Sequence, residues 1–256
     1  MHLCCIACEV FYRELCALAA RSPNRVDLHF LPKGLHDLET GEMRARLQAA
    51  VDQAEEGPCE KILLAYALCN NGLAGVTARR KPLIVPRAHD CITLFLGSSD
   101  RFTAYFKEKP GTYFLTSGWI ERGEVSGDLK EFSVQRRTGL DLSFEQLRLR
   151  YGEENARYLA ERLSGGLRYY KRFTYIDTGT DPGGIFEQQA RRAAAERTWE
   201  FEKIQGDLTL LEELLNGPWA EERFIIVRPG WALVPSYDSG ILKAVPAGEV
   251  PADFRS

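Results

Sequence analysis

The sequence predicts an α/β fold: parallel strands with helices on both faces, arranged as two Rossmann-like halves that face a cleft. Short apolar runs alternate with helical stretches along the 256 residues, and such alternation is typical of parallel sheets with covering helices. The run at 62–68 is apolar almost throughout, as expected of a strand that is buried on both faces. A polar stretch with several glycines at 121–141 separates two similar series of elements.

The first half, residues 1–120, contains the more apolar strands. Each strand is predicted from an apolar run and each helix from an amphipathic or charged stretch that follows it. The strands are predicted at 3–7, 26–31, 62–68 and 82–86, and the helices at 9–20, 41–56, 92–96 and 100–107. The strand at 82–86 is bracketed by prolines, which mark its ends.

The second series begins with a strand at 113–116 and continues beyond the linker at 121–141 into the second half, residues 142–256. Its helices are predicted at 144–163, 186–197 and 208–215, and its strands at 173–176, 199–204 and 224–227. The sequence Asn216-Gly217-Pro218 ends the last helix. One continuous sheet is the alternative to two halves with a cleft between them.

Charge and composition restrict the partners. The formal net charge of −3 gives no electrostatic reason to expect nucleic acid, and no apolar run approaches the ~20 residues that cross a bilayer. The first residues lack the pattern of a signal peptide, so we expect a cytoplasmic location. The seven cysteines are an odd number without a disulfide spacing. In a reducing compartment, clustered thiols are more often metal ligands or reactive groups.

Three cysteines come at the ends of predicted strands. Cys8, Cys69 and Cys91 each follow an apolar run, and His89 shares a loop with Cys91. If these strands are neighbours, three thiols and an imidazole meet at one sheet edge and form a zinc or iron site, with His89 as fourth ligand or as acid–base group. Asp90 either orients the imidazole for catalysis or caps the helix that follows. The remaining cysteines, 4, 5, 16 and 59, are expected to be plain core or surface thiols.

Further polar and aromatic residues could bind a cofactor or a substrate. The turn at Asn71 and Gly72 offers backbone amides to an anion, although such turns are mostly structural. Tyr113 and Trp119 could wall a pocket and hold a methylated ammonium group by cation–π attraction, or belong to the core. Asp177 and Asp207, which follow strands of the second half, are candidate ligand contacts or helix caps. The nucleophile-elbow and zinc-protease motifs do not occur in the sequence.

These segments together resemble the domain-of-unknown-function family 1638 over about residues 3–231. The segments that carry the resemblance are Ala7-Cys8-Glu9, Tyr66-x-Leu68-Cys69-Asn70-Asn71-Gly72, Pro86-Arg87-Ala88-His89-Asp90-Cys91, Gly111-Thr112-Tyr113, Gly118-Trp119, Ile176-Asp177-Thr178-Gly179 and Gly206-Asp207. The resemblance implies a connection with corrinoid proteins and trimethylamine-type methyltransferases, near whose genes family members often lie. The His-x-Cys spacing is also similar to that of zinc methyltransferases that use corrinoid proteins.

Three functions follow as hypotheses. The first is a metal-dependent enzyme of one-carbon or thiol metabolism, a methyltransferase that uses a Cys/His-ligated zinc and takes a thiol or a methylated amine. The second is a non-enzymatic protein that holds a corrinoid, a haem or an iron–sulfur cluster for a partner methyltransferase. The third is a metal-free enzyme with a nucleophilic cysteine, Cys69 or Cys91.

Overall fold

A computed structural model describes residues 1–69, 71–123, 148, 153, 170–238 and 240–254, without the side chains of residues 36 and 37. The strands are β1 His2–Cys8, β2 Arg25–Leu31, β3 Lys61–Ala65, β4 Thr77–Ala78, β5 Leu83–Pro86, β6 Thr112–Leu115, β7 Arg172–Asp177, β8 Glu200–Gln205, β9 Phe224–Val227, β10 Trp231–Pro235 and β11 Leu242–Pro246. The helices are α1 Tyr12–Ala19, α2 Thr40–Glu56, α3 Cys91–Leu96, α4 Ser99–Glu108, α5 Ser117–Glu121, α6 Ile185–Glu196 and α7 Thr209–Asn216.

The central sheet has five strands in the order β2-β1-β3-β5-β9. β2, β1, β3 and β5 are parallel, whereas β9 runs antiparallel to β5. The apolar residues of β3 and β5 are buried because the sheet is covered on both faces, while β2 at the edge alternates between exposed and partly buried residues. The fold is therefore mixed α/β with a mostly parallel central sheet. The sequence predicts a purely parallel sheet, and the antiparallel strand β9 corrects that prediction.

Two smaller sheets complete the fold. β6, β7 and β8 form a parallel sheet, and β11, β10 and β4 form an antiparallel one. Strand pairing crosses the predicted boundary in both directions, since β6 pairs with β7 and β9 pairs with β5. The predicted linker at 121–141 and the predicted helix at 144–163 lie almost entirely outside the described residues, and the division into halves stays a prediction.

The main core lies between the central sheet and its helices. Apolar side chains of β1, β3 and β5 pack against α1, α2 and α7, and the ring of Phe11 stacks on that of Phe95 at 4.5 Å between centroids. No helix within the described ranges is long and apolar enough to cross a membrane.

The topology places one edge of the central sheet at a switch point. The chain leaves β1 through α1 to β2 on one side, and then passes through α2 to β3 on the other side of β1. In open α/β sheets, ligands bind beside the carboxyl ends of strands where the winding reverses in this way. A ligand-binding site is therefore expected at the carboxyl ends of β1 and β3.

Candidate functional site

The strand-end cysteines follow three adjacent strands. Cys8 is the last residue of β1, Cys69 follows β3 by four residues, and Cys91 begins α3 just after β5. The chain segments after β3 and β5 run side by side, because the backbone N–H of Cys69 donates to the carbonyl oxygen of His89 at 3.1 Å. We call Cys8, Cys69 and Cys91 the strand-end thiols.

The strand-end thiols interact electrostatically. The pKa of Cys8 is affected by Cys69, and the pKa of Cys91 is affected by both Cys69 and Cys8. They do not form a ready-made coordination sphere, because nowhere in the described part of the chain do three or more His, Cys, Asp or Glu side chains stand close enough to hold a metal ion. Binding of a metal would require these side chains to turn toward a common point.

Burial keeps the strand-end thiols neutral. Desolvation raises the pKa of Cys69 to about 12 and raises the pKa of Cys8 and of Cys91 well above the ordinary value of a thiol. A thiol with such a pKa carries almost no thiolate at neutral pH, so these sulfurs are poor nucleophiles unless a cation stabilises the charge.

N–H groups lower the pKa of each of these thiols, in opposition to burial. They are the backbone N–H of Val10 for Cys8, the backbone N–H groups of Ala67 and Cys91 for Cys69, and the indole of Trp119 for Cys91. They have this effect because they favour the charged sulfur. Metal-binding groups characteristically have such supporting donors.

The turn after β3 has an unusual backbone. Cys69 and Asn71 have φ angles of 43° and 65° although neither is glycine, which costs about 1–3 kcal/mol at each position and is common at functional sites. A Cβ atom on Gly72 would lie 2.2 Å from the sulfur of Met43, so a larger residue there would require the Met43 side chain to move. The carbonyl of Asn71 accepts from the backbone of Ala74, which gives the turn a structural role.

The structure gives Asp90 a capping role. Its Oδ1 accepts the backbone N–H of Thr93 at 3.1 Å and the hydroxyl of Thr93 at 3.4 Å, and it thereby caps the N-terminus of α3. Desolvation raises the pKa of its carboxyl group. His89 is exposed. The catalytic roles of His89 and Asp90 stay predictions.

An aromatic cavity of about 270 Å³ adjoins Cys91 and Asp90. Its wall comes from α3, α4, β6, α5 and residue 170, so it lies between helices of the central sheet and the second parallel sheet. The six aromatic residues of the wall are Phe102, Phe106, Tyr113, Phe114, Trp119 and Tyr170. Tyr113 and Trp119, both expected from the sequence at a pocket, therefore lie on the same wall as Cys91.

Trp119 connects this cavity with the strand-end thiols. Its indole lowers the pKa of Cys91, and its ring centroid lies 5.0 Å from the ammonium group of Lys33. α5 reaches this position because Gly118 packs against the chain after β1, where a Cβ atom would stand 1.7 Å from the carbonyl oxygen of Val10. The carbonyl of Val10 therefore faces Gly118, while the N–H of Val10 faces Cys8.

The remaining candidates lie away from the cavity. Asp177 forms an ion pair with Lys203 at 2.8 Å and accepts the backbone N–H of Gly179, and its pKa is lowered chiefly by the lysine. Asp207 accepts the backbone N–H of Thr209 at 2.8 Å, and hydrogen bonds from that residue lower its pKa. Asn71, Gly72, Asp177 and Asp207 are not part of the cavity wall. Their roles as ligand contacts stay predictions.

The sequence did not single out Tyr66 or Lys33 as site residues, although Tyr66 stands in a segment that carries the family resemblance. Tyr66 follows β3 directly, is 1% exposed and lies near Cys8 and Cys69. Lys33 follows β2 and is 2% exposed, with its ammonium group near Trp119 and Cys8. Both residues come just after strands of the central sheet. Their position at strand ends is the sequence signal that could have identified them as site residues. The four cysteines expected to be plain core or surface thiols are also free. Cys5 and Cys59 are buried, and Cys4 and Cys16 are partly buried.

The family model for a protein of unknown function, DUF1638, matches residues 30–215. The chain belongs to the DUF1638 family. The resemblance noted in the sequence is thus confirmed, and the matched DUF1638 region includes Cys69, Cys91, Tyr113 and Trp119, while Cys8 precedes it. No curated protein and no solved structure matches the chain.

Proposed function

We propose that this DUF1638 protein is a metal-dependent enzyme of one-carbon or thiol metabolism and that it transfers methyl groups. The observation that carries the proposal is the placement of three thiols at adjacent strand ends, with Cys91 in the wall of an aromatic cavity. Soft sulfur donors and a small, largely apolar pocket are what a thiolate-bound metal and a methylated substrate require.

The strand-end thiols would hold zinc or iron, with His89 as fourth ligand or as acid–base group. The chemistry of the donor set fits these metals, because thiolates are soft ligands and the N–H groups already favour charged sulfur. A bound metal would lower the pKa of a coordinated thiol and make it a nucleophile at neutral pH. Trp119 and the backbone of Val10 would keep the sulfurs in place.

The aromatic cavity would take the small substrate, a thiol or a methylated amine. Its volume of about 270 Å³ is just below the ~300–1,000 Å³ of pockets for drug-sized molecules. Aromatic faces attract methylated ammonium groups by cation–π interaction, and Asp90 supplies a carboxyl group at the wall. The cavity would form part of the cleft between the two predicted halves, and a corrinoid protein is the proposed macromolecular partner.

The two other hypotheses receive less support. A metal-free nucleophilic cysteine needs a lowered pKa, whereas burial raises the pKa of Cys69 and Cys91. A haem or a corrinoid is much larger than a cavity of about 270 Å³. An iron–sulfur cluster on the strand-end thiols is the alternative that their chemistry favours. The proposed compartment is the cytoplasm, where seven free thiols remain reduced.

Elemental analysis of protein purified without oxygen tests the proposal. We expect about one zinc or iron per chain, and loss of that metal in Cys69→Ser and in Cys91→Ser. Cys16→Ser is the matched control, because Cys16 lies on α1 among the thiols expected to be structural. A visible spectrum of the same sample separates colourless zinc from an iron–sulfur cluster. The proposal is wrong if the purified chain contains no stoichiometric metal and both variants take up added metal as the wild type does.

A further inference from the structure

The carboxyl group of Glu14 is buried where α1 meets the chain segment that follows β7. The side chain is 0% exposed, and its Oε1 accepts hydrogen bonds from the hydroxyl groups of Thr178 at 2.7 Å and Thr180 at 3.0 Å. Its Oε2 is also buried but has no hydrogen-bond partner among the described residues. One carboxyl oxygen is therefore cut off from water without a replacement, and such an exception calls for an explanation.

No cationic side chain within the described ranges forms an ion pair with Glu14. The neighbouring Arg13 instead binds the carboxylate of Glu121 through two hydrogen bonds, at 2.9 and 2.7 Å, so its charge is already compensated. Burial of an isolated carboxylate costs so much free energy that the group takes up a proton instead. Desolvation accordingly raises the pKa of Glu14, although the hydroxyl groups of Thr178 and Thr180 oppose the rise.

Other charged groups lie on the elements around α1. Glu9 in the turn after β1 lies 4.0 Å from Arg122 of α5, and Asp177 is paired with Lys203. The remaining titratable or charged side chains on these elements are Arg25, Asp27 and His29 of β2, Asp181 after β7, and Glu212 and Glu213 of α7. Burial against the segment after β7 is nevertheless the largest influence on the pKa of Glu14.

Two chain passages that lie side by side join the second parallel sheet to the central sheet. α4 packs on the second sheet, where the hydroxyl of Tyr105 lies 2.6 Å from that of Thr174. Within the described residues, the chain therefore passes over between α3 and α4 and returns between β8 and α7. The backbone N–H of Asp207 in the second passage donates to the carbonyl oxygen of Phe95, next to the first, at 2.8 Å. Such a pair of passages can act as a hinge, because a few residues at element ends absorb the rotation.

We propose that Glu14 is a pH-sensitive latch: the second parallel sheet is docked on α1 while this carboxyl group is protonated, and it moves away when the group ionises. In the docked state Oε2, which no neighbour uses as an acceptor, carries the proton. Movement of the sheet would open the aromatic cavity, since α3 belongs to the central sheet whereas β6 and α5 belong to the second. The latch itself requires neither a bound metal nor the proposed function of the cavity that it would open.

The direction of the pH effect follows from linkage between protonation and docking. In the undocked state Glu14 has the ordinary pKa of an exposed glutamate, about 4.3, and docking raises that pKa. Docking is therefore strongest at acid pH. The ratio of docked to undocked chains should fall by up to about tenfold per pH unit between the two pKa values and stay constant above the higher one.

Hydroxyl-radical footprinting of the full chain, read by mass spectrometry from about pH 5 to about pH 9, measures the solvent access of single side chains. Trp119 is the reporter, because it lies on α5 and its ring faces the ammonium group of Lys33, which follows β2. We expect oxidation of Trp119, relative to Phe95 in the main core, to rise with pH in the wild type. It should stay low at every pH in Glu14→Gln, which keeps the acceptor for both threonines but cannot ionise.

Two further variants complete the test. Glu196→Gln, at the exposed end of α6, is the matched control and should respond to pH as the wild type does. Thr180→Val removes one hydroxyl donor to Glu14 and thereby raises the docked pKa, so oxidation of Trp119 should continue to rise to a higher pH. If Glu14→Gln does not fold, Thr180→Val decides, and an unchanged profile of that variant overturns the latch.

The latch is also overturned if oxidation of Trp119 is the same at every pH or rises in Glu14→Gln as it does in the wild type. A parallel rise at Phe95 would show unfolding of the whole chain and would overturn it as well. A chain that contains no metal but shows the rise that depends on Glu14 would contradict the proposed metal site and leave the latch standing.

Discussion

β1 has a group of sulfur atoms at each end, and the two groups differ in their surroundings. At the carboxyl end, N–H groups lower the pKa of the strand-end thiols, and Cys91 lies in the wall of the aromatic cavity. Toward the amino end, Cys4 and Cys59 hydrogen-bond to each other, and the thiol of Cys59 donates to the carbonyl oxygen of Ala54 at 3.5 Å. Cys59 thus donates its proton to a carbonyl oxygen and also accepts from the ammonium group of Lys81 at 3.8 Å, whereas the strand-end thiols lie near backbone and indole N–H groups.

This difference separates a candidate site from packing. Hydrogen bonds donated to sulfur favour a thiolate, whereas a thiol that donates its proton to a carbonyl is held in the neutral form. Lys81 lies 3.8 Å from the sulfur of Cys59, but its ammonium group also donates to the carbonyl oxygens of Gly57 and Ala54. Proximity of cysteines alone does not make a site, since donors, cavity and topology must also agree.

Serine replacements at the two ends of β1 should have the most unequal effects. A structural zinc site contributes about 10–16 kcal/mol from about four ligands, so loss of one thiolate in Cys8→Ser should weaken zinc binding about a hundredfold or more. Cys4→Ser, on the same strand, should bind zinc as the wild type does. Titration with zinc against a chelator measures both.

Cys8→Ala is a second variant at this position. It removes the thiol without burying a new hydroxyl group, so weaker zinc binding by this variant cannot be caused by a buried hydroxyl. The comparison between the two ends breaks down if Cys4→Ser weakens zinc binding as much as Cys8→Ser or Cys8→Ala does.

Gly118→Ala should damage the carboxyl end through the backbone. The new Cβ atom would stand 1.7 Å from the carbonyl oxygen of Val10 and 2.6 Å from its carbon, and neither can move without displacing the chain after Cys8. We expect a loss of about 1–3 kcal/mol in the free energy of unfolding, measured with denaturant, together with weaker zinc binding. Gly248→Ala is the control, because nothing lies within 4 Å of its Cβ position. Equal stability of the two variants would contradict the close approach.

Most elements of the fold could be predicted because their signals are local. The strand at Phe224–Val227 was predicted with its observed bounds from four apolar residues, and Asp90 caps α3 as an aspartate before a helix often does. The pairing of β9 with β5 was not predicted, since an apolar run indicates a buried strand but not its neighbour or direction. β10 and β11 were missed altogether.

The candidate site likewise has residues that the sequence identified and residues that only the structure identifies. The cysteines at strand ends could be found from the sequence, because parallel strands bring their carboxyl ends to one edge. The aromatic wall could be found only in part: Tyr113 and Trp119 were expected there, but Phe102 and Phe106 belong to α4, and a helical pattern does not say which of its residues will line a cavity. That the hydroxyl of Tyr66 has no hydrogen-bond partner among the described residues is a property of packing that no sequence pattern displays.

The alkylation rates of Cys4 and Cys69 should also differ between the two ends of β1, with a smaller effect than the serine replacements have on zinc binding. Cys4 and Cys69 are both partly buried, but desolvation raises the pKa of Cys4 to about 11 and that of Cys69 to about 12. At pH near 8 the metal-free chain should therefore have less thiolate at Cys69 than at Cys4, and iodoacetamide should modify Cys4 faster. Mass spectrometry of peptides measures both rates.

Zinc sharpens this test. Addition of zinc should protect Cys69 and leave the rate at Cys4 unchanged, and a chelator should restore the reaction at Cys69. Protection of Cys4 by zinc would place the metal at the wrong end of the strand.

Asp27→Asn should have the smallest effect, and only at the amino end. His2 hydrogen-bonds to Asp27 at 2.6 Å and lowers the pKa of that carboxyl group, while the negative charge helps to raise the pKa of Cys4. Because the pKa of Asp27 is lowered by folding, the pair stabilises the chain above the unfolded pKa of about 3.9, and this contribution is lost as the pH falls through the folded pKa. For a half-exposed pair it amounts to about 0.2–1 kcal/mol.

The variant should therefore be slightly less stable than the wild type at pH 7 and equally stable in strong acid, as measured by denaturant unfolding across pH. Removal of the charge also lowers the pKa of Cys4, so alkylation of Cys4 should become faster while that of Cys69 does not change. A parallel change at Cys69 would show that the two ends of β1 are coupled electrostatically, and the contrast between packing thiols and site thiols would then have to rest on hydrogen bonding and topology alone.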